Sequence, residues 1–503
     1  MSLPNGFINS YEYFQQVNEF LKKNSWIYRE ANTGFVKAGT LNQMPQEYKD
    51  YFTEINTEEL NKFPYVHEPL THLNVESLNN FRHKLAELIP LAAYNEPQDV
   101  EKPIKMENLK KMNVKKQHEI QRLATVVKET LKLNEDEHQN EEQEKYVLID
   151  FGSGLGYLSE MLYKLNRNLL ILGLEADTYR VEAAEKRVKT YMPTAINSIQ
   201  YRQQFITESS KDFIVKTVEE VFKLNYQHVA PQIATNVVII GLHACADLTI
   251  TSLKLFLQLP EVQHLIIMPC CYHKLQVCDD TATTTAAALK FRNFPLSESL
   301  KQVLLDNEDN VTDKANYAEC NDDFTTYLNR PFLRLACQQT LKRWNKCSPT
   351  EHHVHGSEMF LRAVAESIKL KDEELEFIVV KRKEEKIELN SLTAEQLQSF
   401  ETFSRLYSLK SKTTNEFVVW SAQHRKKFCE LIEKYPNGGK LAEGLTCLQT
   451  SMQKLCENLV LYDRLCYMEE TALKMDLKIK VRYEKIMDEE LSPRCYVLIA
   501  DKL

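Results

Sequence analysis

Three glycines alternate with other residues in the segment Asp150-Phe151-Gly152-Ser153-Gly154-Leu155-Gly156. They follow an apolar run and precede a segment with helical spacing, which predicts a tight turn between a strand and a helix. A dinucleotide site places its third glycine one residue later, where this chain has Tyr157. The turn therefore favours a nucleoside ligand that carries no pyrophosphate.

An acidic residue follows the next apolar run, in Gly173-Leu174-Glu175-Ala176-Asp177. A carboxylate at that strand end can accept hydrogen bonds from both ribose hydroxyls of an adenosine. Asp150, which ends the preceding strand, is placed to hold an ammonium group. The pattern predicts S-adenosyl-L-methionine as cofactor. The expected binding residues are Asp150, Gly152, Ser153, Gly154, Gly156, Glu175 and Ala176.

Two further apolar runs end in residues that could act in a transfer reaction. One run leads to Gly241-Leu242-His243-Ala244 and the other to Tyr272 and His273. Ligands of open α/β sheets lie beyond the carboxyl ends of the strands. His243 could serve as a base or could orient the donor, and Tyr272 and His273 could shape the pocket. We expect these three residues to be catalytic.

The adjacent Cys270 and Cys271 allow two other chemistries. A nucleophilic thiolate would need a lowered pKa, for which His273 or Lys274 is the nearby candidate. A zinc site would combine the pair with His273 and Cys278, but adjacent cysteines match none of the usual ligand spacings. We therefore expect inert thiols and no bound metal.

The elements that position these residues alternate between short apolar runs and helix-length amphipathic segments. This pattern predicts parallel strands joined by helices. The runs cover residues 147–151, 169–174, 199–206, 236–241 and 264–268, and two strand-like segments follow at 477–486 and 494–500. Five parallel strands and a closing hairpin predict an α/β fold with a Rossmann-like class I methyltransferase sheet.

Changes in composition along the chain predict four regions. Residues 1–134 form a helical N-terminal region, an acidic, solvated linker follows at 134–145, and 146–275 form the donor-binding core. Residues 276–455 form a mostly helical and loop insertion, in which His352, His353 and His355 are expected on a surface loop. Residues 456–503 return to the sheet and complete it with the hairpin.

The composition limits the partners of the chain. A net charge of −8 gives no general attraction to phosphate backbones, so we expect no DNA binding. No apolar stretch approaches a membrane span, and the first residues lack a signal peptide. We expect a cytoplasmic protein, with the nucleus as a second location. Three basic patches are interpreted as solvated helix faces: Lys110, Lys111, Lys115 and Lys116; Lys381, Arg382 and Lys383; Arg425, Lys426 and Lys427.

The chain resembles the methyltransferase-like protein 25 family, some members of which are labelled ribosomal RNA adenine dimethylase domain-containing. The resemblance rests on residues 112–119, 150–156, 241–248, 269–274 and 491–494. It implies a donor-dependent methyltransferase. Adenine-N6 enzymes show an (Asn/Asp)-Pro-Pro-(Tyr/Phe) quartet, which Gly241-Leu242-His243-Ala244 lacks, so adenine dimethylation is disfavoured.

The resemblance also implies that a helix start folds over the donor pocket, with an exposed first turn as the alternative. Its polar residues are Lys115, Lys116, His118 and Glu119.

Three functions fit these patterns. The first is an S-adenosyl-L-methionine-dependent methyltransferase that acts on a macromolecular acceptor, RNA or protein. The second is a scaffold or interaction protein that binds S-adenosylmethionine without catalysis. The third, a nicotinamide oxidoreductase, is disfavoured by Tyr157 and by the terminal hairpin. A ribose carboxylate together with a polar pocket rim favours the enzyme.

Overall fold

The computed structural model describes residues 3–4, 6–71, 73–97, 112–133, 145–222, 235–278, 291–309, 327–338, 340–382 and 392–503. The predicted linker up to residue 144, Lys110, Lys111 and Lys383 lie outside the described residues.

The helices of the described residues are numbered in chain order. They are α1 (Ser10–Lys23), α2 (Thr40–Gln43), α3 (Gln46–Glu54), α4 (Thr57–Lys62), α5 (Glu76–Leu88), α6 (Val114–Thr130), α7 (Tyr157–Leu165), α8 (Thr178–Tyr191), α9 (Lys211–Phe222), α10 (Asp247–Gln258), α11 (Glu298–Asp309), α12 (Arg330–Leu335), α13 (Leu341–Asn345), α14 (Pro349–Ser367), α15 (Ala394–Leu397), α16 (Phe400–Leu406), α17 (Ala422–Lys434) and α18 (Gly438–Lys474). The strands are β1 (Lys145–Phe151), β2 (Leu170–Glu175), β3 (Ile199–Gln203), β4 (Thr235–Cys245), β5 (Val262–Cys270), β6 (Phe377–Lys381), β7 (Tyr407–Ser411), β8 (Phe417–Val418), β9 (Ile479–Lys485) and β10 (Tyr496–Lys502).

Seven strands form the main sheet, in the order β3-β2-β1-β4-β5-β10-β9. Strands β1 to β5 run parallel, whereas β10 is antiparallel to β5 and to β9. The central strands are apolar runs because both faces of the sheet are covered, and Leu148, Ile239 and Ile266 are fully buried. The predicted α/β fold, with five parallel strands and a closing hairpin, is confirmed.

Strand β4 is longer than predicted and changes what lies at the sheet edge. It continues past residue 241 to Cys245, and its register against β5 shifts between Gly241 and Ala244. Such irregularities re-aim side chains and are common next to active sites. Beyond the shift, Cys245 pairs with Cys270, so β4 and β5 end level with each other.

Helix α18 organises the helical half of the molecule. It is 37 residues long, is buried along most of its length and packs against α14, α12, α3 and β9. Several of its buried polar side chains are hydrogen-bonded; Lys454, for example, donates to Ala93 O and to Glu489. The predicted boundary between residues 455 and 456 falls inside this helix. The buried residues of the helix continue without a break on both sides of that point, so the chain does not divide there.

The segment predicted as a histidine-bearing surface loop is instead the start of α14. Ser348 caps the helix, Pro349 occupies its first position, and Glu351 completes a capping box. His352 is buried, and both His352 and His355 hydrogen-bond to Glu443 on α18. The surface-loop prediction was wrong, because Glu351 helps to cap the start of a helix and the two histidines contact buried Glu443.

The insertion also contains strands that the sequence analysis did not predict. Strands β6, β7 and β8 form a separate three-stranded antiparallel sheet. Within the described part of the chain, no helix combines the length and the apolar character needed to cross a bilayer.

Candidate functional site

The glycine turn has the backbone geometry that its sequence predicts. Gly152, Gly154 and Gly156 have φ of 71°, 57° and 77°, values that favour glycine. The turn is anchored on the neighbouring strand, because the N–H groups of Gly152 and Ser153 both donate to Leu174 O, at 2.9 and 3.2 Å. The turn is thereby fixed over the ends of β1 and β2.

A buried tyrosine under the turn explains two of the glycines. A Cβ on Gly156 would come within 2.1 Å of the Tyr201 hydroxyl, and a Cβ on Gly173 within 2.3 Å of its ring. Tyr201 is 2% exposed and cannot move aside without disturbing the core. The lack of a Cβ at Gly156 and Gly173 therefore leaves room for the Tyr201 ring, which lies on β3 and supports the turn.

Glu175 lies at the end of β2 and contacts the glycine turn directly. Its Oε2 accepts from the Gly154 N–H at 3.0 Å, and its Oε1 accepts from the Asp177 N–H at 3.2 Å. Arg180 approaches to 4.0 Å. Each carboxylate oxygen can accept two hydrogen bonds, so each keeps capacity for a ribose hydroxyl.

Asp150 occupies a different position from the one expected for a group that binds an ammonium. It is 2% exposed, and its Oδ2 accepts from the Ser159 hydroxyl at 3.0 Å. Burial raises the pKa of Asp150 to about 7. The carboxyl group lies beneath the turn, where it supports α7, and does not line the cleft.

A cleft of about 660 Å³ opens at the carboxyl ends of β1, β2 and β4, large enough for a nucleoside ligand. Gly152, Glu175 and Ala176 line it, as predicted for the donor site. Other residues of the wall have no role predicted from the sequence; they include Gln204, Phe205, Thr207, Arg292 and Asn293. The position of Gln204 and Phe205 just past β3, at the same sheet edge, is the signal that could have identified them.

Phe205 and Asp247 are notable members of that wall. Phe205 is 75% exposed, so its ring is available to an aromatic base. Asp247 begins α10 but does not cap it. Its carboxylate accepts from the Gln276 N–H at 3.0 Å and from the Asn293 amide at 2.8 Å, which fixes the far side of the cleft.

His243 emerges from the irregular stretch of β4 and pairs with Glu119 of α6. Its Nε2 lies 3.4 Å from Glu119 Oε2, and its side chain is 41% exposed. The Ser492 hydroxyl donates to Glu119 Oε1 at 2.7 Å. Burial alone would raise the pKa of Glu119, but hydrogen bonds from His243 and Ser492 outweigh it and lower that pKa. His243 is thus held by an ionised partner.

The rest of the α6 start also contacts the turn region. Lys116 Nζ lies 4.4 Å from the centre of the Tyr157 ring, and His118 Nε2 accepts from the Asp488 N–H at 3.1 Å. These residues lie beside the cleft and are not part of its wall. Their side chains join α6 to the start of α7 and to the segment before β10.

The structure separates the three residues predicted to be catalytic. Tyr272 is 1% exposed, with its hydroxyl 3.5 Å from Glu457 and its ring facing Arg464, so it points into the core. His273 Nδ1 lies 3.2 Å from Cys337 Sγ. The expectation that Tyr272 helps to shape the pocket was therefore wrong, because its side chain is buried in the core. A short 3-10 turn over Tyr272–Lys274 follows Cys271 and directs the ring inward.

Comparison with known proteins agrees with this geometry. Residues 115–278 match the family described as "Methyltransferase domain". This segment of the chain therefore resembles a methyltransferase domain. It is also 26% identical over 263 residues to the mouse (Mus musculus) "Probable methyltransferase-like protein 25". That alignment covers 52% of this chain and 37% of the mouse protein. The resemblance found in the motifs is confirmed at this level.

The residues at this edge of the sheet fit S-adenosylmethionine. The glycine turn leaves its cleft side free, since a Cβ on Gly154 would meet only Gly152 O at 4.0 Å. Ser153 Oγ is buried and has no hydrogen-bond partner among the described residues. Together with the free acceptor capacity of Glu175, these groups suit a ligand with hydroxyl and charged ends.

Three cysteines lie close together at the carboxyl ends of β4 and β5. Cys245 Sγ lies 2.9 Å from Cys270 Sγ and 3.8 Å from Cys271 Sγ, and all three sulfurs lie within 4.8 Å of one another. Hydrogen bonding to the Cys270 thiol lowers the pKa of Cys271 to about 5. Hydrogen bonding to Cys245 raises the pKa of Cys270. The sequence analysis missed Cys245 because it lies 25 residues before Cys270 along the chain.

Proposed function

We propose that this protein is an S-adenosyl-L-methionine-dependent methyltransferase that acts on a macromolecular acceptor, RNA or protein. The observation that carries the proposal is the position of Glu175. Its carboxylate contacts the Gly154 N–H and also lines the cleft. A carboxylate beside a glycine turn suits the ribose of the donor.

The residues of this chain have distinct parts in the proposed function. The glycine turn and Glu175 would hold the donor, and Phe205 would cover its base. S-adenosylmethionine, when bound, supplies an electrophilic methyl group. His243, supported by ionised Glu119, would accept a proton from the acceptor where the acceptor carries one. Alignment of donor and acceptor in the cleft would supply much of the rate.

Ligand binding tests the donor part of the proposal. S-adenosylhomocysteine should raise the melting temperature and give a calorimetric binding signal, because it binds only the folded state. NAD is the matched control and should give neither effect. A signal for NAD without one for S-adenosylhomocysteine would contradict the proposal.

Mass spectrometry tests the acceptor part. Total RNA and the proteome from cells that lack the protein are compared with those of parent cells, and one methyl mark should vanish. Re-expression of the wild-type chain should restore the mark. Binding of S-adenosylhomocysteine with no mark lost in either class would favour the scaffold alternative.

A further inference from the structure

The three cysteines near the cleft form a group that the fold assembles from two strands. Cys245 ends β4, Cys270 ends β5, and these two residues pair in the sheet register. Among the described residues, these three form the one group of His, Cys, Asp or Glu side chains whose ligand atoms lie close enough to share a metal ion. A cluster of thiols is the ligand set that zinc prefers.

The backbone departs from ordinary strand geometry to make the thiols converge. Consecutive side chains of a strand point to opposite faces, so Cys270 and Cys271 could not converge if β5 continued. Cys271 has φ of 54°, and Ala246, which follows Cys245, has φ of 48°. Both are non-glycine residues in a conformation that costs free energy and that collects at functional sites.

The separation of the sulfurs is close to that of a zinc-thiolate site. Tetrahedral zinc with Zn–S bonds of about 2.3 Å separates two sulfurs by about 3.8 Å. The sulfurs of Cys245 and Cys271 are already 3.8 Å apart. Those of Cys245 and Cys270 are 2.9 Å apart and need only a small rotation about the side-chain bonds to move apart.

A cation near the cluster balances the charge that such a site would carry. Three thiolates and Zn²⁺ leave one net negative charge. Arg494 interacts electrostatically with all three cysteines, and its buried Nε has no hydrogen-bond partner among the described residues. Glu119 also interacts electrostatically with Arg494, and the metal-thiolate group would add a second counter-charge to this buried cation.

The site would have room for an external ligand. Structural zinc sites have four protein ligands, whereas sites with three keep the fourth position for water or substrate. Cys245 belongs to the wall of the cleft that Gly152 and Glu175 also line. We propose that Cys245, Cys270 and Cys271 bind one Zn²⁺ ion whose fourth coordination position opens to the cleft and accepts a thiol as thiolate.

This site also indicates which chemical group accepts the methyl, an inference that rests on the proposed function. The thiol loses its proton when it binds the metal, and His243 is the group that would accept that proton. Its sulfur then forms a bond to the methyl carbon while the bond from that carbon to the donor sulfonium breaks, and the bonding pair stays on the donor sulfur. A thiol is thus the acceptor group. His273 and Cys278 were the expected companions of Cys270 and Cys271 in a metal site, and Cys245 takes the place of both.

Zinc content tests the metal site. The full chain is expressed with added zinc and purified with a phosphine reductant, and we expect about one zinc per chain. Cys245→Ser and Cys271→Ser, which alter half-exposed residues, should lose the metal. Cys337→Ser is the matched control, since Cys337 is also half-buried but contacts His273, and it should keep zinc.

X-ray absorption tests the open position. The zinc spectrum of the wild-type chain should fit three sulfurs and one lighter atom, and added 2-mercaptoethanol should give four sulfurs. Four sulfurs before thiol is added would overturn the open position. An unchanged spectrum after the addition would overturn thiol binding.

Two results would overturn the metal site itself. One is wild-type protein without zinc. The other is a Cys245–Cys270 disulfide in peptide mass spectra of protein freshly purified without reductant. Calorimetry with S-adenosylhomocysteine on the same sample separates this inference from the proposed function, because donor binding without zinc would leave that function intact.

Discussion

The carboxylate of Glu175 accepts a hydrogen bond from the backbone N–H of Gly154 at 3.0 Å, which joins the end of β2 to the glycine turn after β1. The two motifs that the sequence shows 21 residues apart therefore form one wall of the cleft. The same carboxylate both holds the turn and offers acceptors to a ligand.

Replacement of Glu175 tests whether its carboxylate binds the ligand in addition to holding the turn. Glu175→Ala should weaken S-adenosylhomocysteine binding by about 1–3 kcal/mol, because charge-assisted hydrogen bonds to the ribose are lost. Isothermal calorimetry measures this change. Glu182→Ala, an exposed residue on α8, is the control and should bind normally. An unchanged affinity for Glu175→Ala would show that the carboxylate serves the turn alone.

Gly173→Ala tests the packing of Tyr201 under the turn. The new Cβ would come within 2.3 Å of the Tyr201 ring and 2.8 Å of Ser153 Oγ. Overpacking of this kind costs about 1–3 kcal/mol of stability. Denaturant unfolding measures it, and the cost should shrink in a Tyr201→Leu background. Gly34→Ala is the control, since its Cβ meets only Ala31 O at 3.5 Å. An equal loss in both glycine variants would contradict this account.

The raised pKa of Asp150 predicts a pH dependence of stability. Its pKa is about 7 in the folded chain, compared with an ordinary value of 3.8 for aspartate. The folded state therefore keeps a proton that the unfolded state loses, and this carboxyl group lowers stability progressively as pH rises from about 4 to 7. Asp150→Asn removes that loss.

Melting temperatures of both proteins between pH 5 and 8 test this prediction. The advantage of Asp150→Asn over wild type should grow with pH and level off above about pH 7. Burial also raises the pKa of Glu457 to about 7, but Glu457 is present in both proteins and cancels in the comparison. A difference that is constant over the pH range would rule out this role for Asp150.

His243→Ala tests the proton-accepting role at the end of β4. The side chain is 41% exposed and its ring pairs with Glu119, so its removal should leave the melting temperature and S-adenosylhomocysteine affinity nearly unchanged. In cells that lack the protein, this variant should fail to restore the methyl mark. His353→Ala, an exposed residue on α14, should restore it. Loss of donor binding in His243→Ala would assign the residue a structural role instead.

The sequence predicts the fold and the positions of the glycine turn and Glu175 because those features depend on local patterns. Apolar runs and the spacing between them predict β1 to β5 and the hairpin of β9 and β10. The turn from Gly152 to Gly156 and the strand-end position of Glu175 are contained in short segments. Backbone conformation and strand ends follow from neighbouring residues, so these expectations needed no knowledge of distant contacts.

Only the tertiary structure decided which distant side chains meet. Tyr272 and Cys271 are adjacent in sequence, yet one lies in the core and the other beside Cys245, because the backbone at Cys271 is left-handed. Cys245 reaches Cys270 through the parallel register of β4 and β5, and His352 reaches Glu443 through the packing of α14 on α18. Long-range pairing of this kind depends on strand register and helix packing, which the local pattern of a single chain does not specify.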